Sequence, residues 1–141
     1  MMVGKESPQQ SAVYRAQARC SRGESFPDVE SAQKYVYRVM ASEWWGPRNY
    51  SKLLDGRGIA VQSVRGACSV GCSKEAAIGL CKGGFTEGTV LHEIAHVVTG
   101  GEHGHTGPFV RTMLELTYLV RGQAAYAELS EALVAEGVDI G

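Results

Sequence analysis

The sequence predicts a single α+β domain in which a helix bearing a compact histidine motif packs beside a small mixed or antiparallel sheet. A C-terminal pair of helices completes the core. Three observations predict this. A chain of 141 residues, 44% of them hydrophobic, is long enough for one core and too short for two ordinary domains. Apolar residues recur three or four apart near the start and through the C-terminal half, with shorter runs between them. Glycine pairs at Gly83-Gly84 and Gly100-Gly101 bracket one of the helical stretches and set its limits.

Residues 1–12 are polar, include Pro8, and read as an unstructured N-terminus ahead of a domain spanning 13–141. The segment Val13 to Cys20 fits a short strand or a short helix, and periodicity does not decide between them. A helix should follow Asp28, its N-cap, with Val29, Ala32, Val36, Met40 and Trp44 on one face and an end near Gly46. Tyr50 to Leu54 and Ile59 to Val64, joined by the turn Asp55-Gly56-Arg57-Gly58, read as a hairpin, and Glu75 to Cys81 as a further strand.

A second helix should run from an N-cap at Thr86 to Thr99, with Val90, Leu91, Ile94, Val97 and Val98 apolar and Gly100-Gly101 stopping it. Pro108 suits the first turn of a third helix reaching Arg121. Phe109, Val110, Met113, Leu114, Leu116 and Val120 spread around that helix and mark it as the buried core helix. Gln123 to Glu136, closed by Gly137, makes a fourth helix packed through Tyr126, Leu129 and Leu133.

Lys and Arg number 14 against 15 Asp and Glu, so no long-range field favours nucleic acid or an anionic membrane surface. The N-terminal stretch has no signal-like apolar core and no run reaches membrane-spanning length, so a cytoplasmic protein is expected. In that compartment Cys20, Cys68, Cys72 and Cys81 are read as reduced thiols. Their spacing matches no familiar four-thiolate zinc ribbon or knuckle.

The chemistry concentrates in His92-Glu93-Ile94-Ala95-His96. Four residues apart on a helix, His92 and His96 project from one face and can present imidazole nitrogens to one Zn2+, with Glu93 beside them as general base. All four histidines fall between positions 92 and 105, which suits a third ligand on the loop after the motif helix. His105 is the expected third ligand. His103 stands second, and Glu115 on the following helix is a more distant alternative. The metzincin spacing is absent, because Thr99 and Glu102 stand where it needs glycine and histidine. Tyr118 and Arg111 are candidate oxyanion donors, although such helical residues more often pack or face solvent.

This constellation implies hydrolysis of an amide-like bond, with a protein or peptide as the substrate partner. Two rivals compete: a non-catalytic zinc-binding structural or regulatory protein, whose metal would be closed off by a fourth ligand, and an interaction module whose histidines only cap or pack.

The chain resembles the small metallohydrolases of actinobacteria and mycobacteriophages, which are similar to SprT-like zincins. The stretches that carry the resemblance are Val29 to Trp45, the Asp55-Gly56-Arg57-Gly58 turn, Val90 to His96, and His105 to Val110. In that family the third histidine precedes a phenylalanine by four positions within a Gly-Pro-x-Phe run. His105 stands four before Phe109, with glycine and proline one place later. The resemblance therefore favours His105 over His103 and implies a zincin-like fold of peptidase type. By analogy with zincins, the strand Ile78 to Cys81 would border the cleft and pair with an extended substrate.

Overall fold

The computed structural model describes residues 9–45, 58–66, 69–72, 74–100 and 104–140. In chain order the elements are α1 (Gln10–Ala18), α2 (Val29–Met40), β1 (Ala60–Ser63), β2 (Val70–Cys72), β3 (Ala77–Leu80), α3 (Glu87–Thr99), α4 (Gly107–Arg121) and α5 (Gln123–Ala135). Among the described residues the architecture is α+β, five helices with a small three-stranded sheet.

The undecided segment is helical: α1 starts at Gln10, inside the stretch 1–12 set apart as unstructured, and residues 1–8 lie outside the described residues. Asp28 caps α2, its side chain accepting from Ser31 N. The helix stops at Met40 rather than near Gly46, because Ser42 Oγ donates to Val39 O at 2.6 Å and the chain turns. Trp44 and Trp45 are still buried beyond that turn, so the apolar period outlasts the helix.

The sheet has the order β1-β3-β2, with β1 parallel and β2 antiparallel to β3. The first arm of the expected hairpin, Tyr50 to Leu54, lies outside the described residues. Its second arm contains β1, which pairs with β3 through Ala60↔Ala77 to Ser63↔Leu80. The hairpin seen is β2–β3, in which Cys72 stands opposite Ala77. β3 is thus the central strand with a neighbour on each side, so Ile78 to Leu80 cannot take up a substrate by strand addition.

The most enclosed helix is α3, not α4. Val90 to Ala95 are buried without a break, and Val97 and Val98 continue the buried run. It lies against α4 on one side and β2 and β3 on the other, while α4 packs on α5 and α5 on α1. Its N-terminus is fully capped. Thr86 Oγ1 accepts from Thr89 N, Glu87 N donates to Glu24 O, and Gly88 N donates to Arg22 O, both at 2.9 Å. Those bonds carry the segment after α1 across the start of the motif helix. Among the described residues, no helix is long and apolar enough to cross a membrane.

Candidate metal centre

His92 and His96 lie one turn apart on α3, as their spacing requires. After Thr99 the helix ends at Gly100, whose φ of +89° lets the chain turn away, and the chain returns at Gly104 to enter α4. His105 stands just before Thr106, the N-cap of α4, and so points back at the motif helix from the far end of that connection. Among the described residues, His92, His96 and His105 form the one group of three or more potential ligands, with ligand atoms all within 4.8 Å of one another.

Nε2 of His105 is 3.2 Å from Nε2 of His92 and 3.2 Å from Nε2 of His96. A single Nε2 carries one proton or one lone pair, so it cannot make a linear hydrogen bond to both. Three nitrogens about 2.0–2.1 Å from a tetrahedral ion would stand about 3.3 Å apart, close to these spacings. His92 and His105 are buried and His96 partly so. The three residues can hold a metal ion.

No protein-family model, curated protein or solved structure matches this chain. What the centre does is therefore read from its own geometry and chemistry.

The surroundings favour the ligating form of His92 and His96. Burial, reinforced by His96, His105 and Arg22, holds His92 well below its ordinary pKa of 6.5. Burial and then His105 lower His96 to about 3. Both are therefore neutral near pH 7 and keep a nitrogen lone pair. Nδ1 of His92 lies 2.8 Å from Gln17 Oε1. An amide oxygen only accepts, so Nδ1 carries the proton and Nε2 turns its lone pair to the centre. Phe109, fully buried in the first turn of α4, underlies all three rings: it stacks on His96 at 4.1 Å and meets His92 and His105 edge-on at 4.9 and 5.0 Å. The four-residue step from His105 to Phe109 thus puts one ring beneath the whole set.

Glu93 is 3% exposed, and burial alone pushes its carboxyl up to about 8. A buried carboxyl raised in this way lacks a compensating positive charge, which a divalent ion beside it would provide. With His92 it lines an open cleft of about 290 Å3, whose other walls include Tyr14, Gln17, Arg22, Ser69 and Lys82. Tyr14 stacks on His92 at 5.4 Å and meets His105 edge-on at 5.3 Å.

The other candidates fall elsewhere. Arg111, Glu115 and Tyr118 line a separate cleft with Leu114 and Tyr126, and Glu115 accepts a hydrogen bond from Trp44 Nε1 at 2.7 Å. His103 and Cys68 lie outside the described residues. Of the described cysteines, Cys20 Sγ donates to Ala16 O, and Cys81 Sγ lies 3.4 Å from Ser69 Oγ. Sequence reasoning missed Tyr14, Gln17 and Arg22. All three sit on or just after α1, a nine-residue helix too short to declare itself by period alone.

Proposed function

We propose that this chain is a zinc-dependent hydrolase that cleaves an amide bond, with a protein or peptide as substrate, in the manner of the SprT-like zincins it resembles. The observation that carries this reading is the convergence of three imidazoles, with Nε2 of His105 3.2 Å from Nε2 of both His92 and His96 and all ligand atoms within 4.8 Å, while the buried Glu93 lines an open cleft with His92. Three nitrogens with no thiolate suit zinc, and three protein ligands leaving a position open is the pattern of catalytic zinc.

When bound, zinc supplies Lewis acidity toward a substrate carbonyl and toward water. Glu93 takes the proton of the attacking water and returns it to the departing amine. Tyr14 and Arg22, which line the same cleft, offer an O–H and N–H groups to the oxygen on which negative charge develops, and Lys82 in the lining adds a second cation. Phe109 and the buried face of α3 keep water away from the far side of the ligands.

A purely structural site would need a fourth side-chain ligand to close it. Among the described residues the group has three members, and His92 opens on the cleft.

The test is elemental analysis of freshly purified wild type and His105→Ala, paired with hydrolysis of casein and of a peptide library by wild type and Glu93→Gln. About one zinc per chain, lost in His105→Ala, with cleavage lost in Glu93→Gln, is the expected result. Absence of metal from wild type refutes the metal centre. Zinc without any cleavage refutes the peptidase.

A further inference from the structure

α1 is a short helix with a small apolar face. Its buried side chains are Ala12, Val13 and Ala16, and it docks on α5. A nine-residue helix is marginal by itself, and a contact of this size stabilises its docking only modestly. Further bonds hold it. Arg15 and Arg19 reach Glu136 at the end of α5. At its other side, two glutamines reach the metal centre.

Gln17, in the last turn, accepts from Nδ1 of His92 at 2.8 Å. Gln9, the N-cap residue, donates through Nε2 to the backbone carbonyl of His105 at 2.7 Å, while its Oε1 accepts from Asp139 N. The two amides stand eight positions apart, and each fixes a different ligand: one its ring, the other its main chain. Between them the Tyr14 ring lies against the rings of the same two histidines.

We infer that Gln9 and Gln17 are positioning residues that make α1 part of the metal centre, so that metal binding and the docking of α1 strengthen each other. The inference rests on the metal-binding part of the proposal above and is independent of hydrolysis. Gln17 selects the His92 tautomer whose Nε2 lone pair faces the other rings, and Gln9 anchors the main chain at His105. By linkage, whatever factor a docked α1 adds to metal affinity, the metal adds to the docking equilibrium of α1.

The coupling is measurable on the full chain in two ways. Zinc affinity, by competition with a chromophoric chelator, should fall about 10–100-fold in Gln17→Leu. It should fall in the same direction in Gln9→Ala, and return to the wild-type value or above in Gln17→Glu, which keeps an acceptor oxygen in place. A role confined to packing would not distinguish the leucine from the glutamate variant. In wild type, hydrogen exchange at the amides of residues 10–18 should slow on adding zinc and quicken on chelation, with α2 little affected. Equal zinc affinity of folded Gln17→Leu and wild type, or exchange in α1 that ignores zinc, overturns the inference. If Gln17→Leu does not fold, the exchange measurement on wild type decides. Wild type that binds no zinc at all is a separate result and removes the metal centre itself.

Discussion

A side chain on Gly71 would put its Cβ 2.4 Å from the carbonyl oxygen of Glu93, and 3.2 Å from the Cβ of His96. Strand β2 therefore runs in direct backbone contact with the motif helix, at the turn that carries both Glu93 and His96. The atom in the way is main chain and cannot swing aside, so Gly71→Ala must push β2 and α3 apart. The expected cost is about 1–3 kcal/mol of stability, with a weaker zinc affinity, read by chemical denaturation and chelator competition. Unchanged stability would mean that the strand does not lie so close.

Phe109 supports three ligand rings at once. Phe109→Ala should cost about 3–5 kcal/mol and release zinc more readily. Phe109→Leu keeps most of the volume, costs less, and isolates the contribution of the aromatic face to metal affinity. Denaturant midpoints with and without chelator separate the two effects.

Zinc bound only by the folded chain must raise its stability. A thousandfold excess of free zinc over Kd should stabilise wild type by about 4 kcal/mol, and chelator should remove the gain. His105→Ala should show little response to either. Thermal unfolding that ignores zinc in wild type would refute the site.

Glu93→Gln removes the carboxylate that we propose as the base and leaves the three imidazoles in place. Zinc content should stay near the wild-type level while cleavage falls by about 10²- to 10⁴-fold. Parallel loss of metal and activity would instead make Glu93 a residue that holds the site together.

The docking of α1 should depend on acid. The hydrogen bond from Arg15, with the charges of Arg19 and Arg15 behind it, holds the Glu136 carboxyl below its ordinary value of 4.5. A depressed carboxylate contributes stability that is fully present above the unfolded-chain pKa and is lost as pH falls through the folded one. Chelated wild type should therefore lose Tm more steeply than chelated Glu136→Gln as the pH drops from about 5 to about 3. The effect is small, because both arginines are largely exposed. Identical slopes would show that this ion pair does not hold α1.

Much of the helical frame was legible because its signals are local. Asp28 and Thr86 cap helices as read, Gly100 ends α3, and α4 and α5 run within a residue or two of their expected limits. The end of α2 was misplaced because Trp44 and Trp45 stay buried after the helix has turned at Ser42, so the apolar period outlived the hydrogen-bonding pattern. The sheet was harder. β2 is three residues long and contains Gly71, whose value is close approach to α3 rather than strand propensity. The parallel pairing of β1 with β3 is a long-range contact with no local signature.

The sequence by itself determined the chemical identities at the centre: two imidazoles one turn apart, a carboxylate between them, and a further histidine beyond a glycine stop. Helix geometry and glycine's backbone freedom act over a few residues and can be read from spacing. Only the tertiary structure decided that His105 meets the other two rings at 3.2 Å and that Phe109 lies beneath them. It also brought α1, from far back in the chain, to place Gln9, Tyr14 and Gln17 on the same centre. Those contacts depend on how helices pack across the core, and packing between distant segments leaves no spacing in the sequence to read.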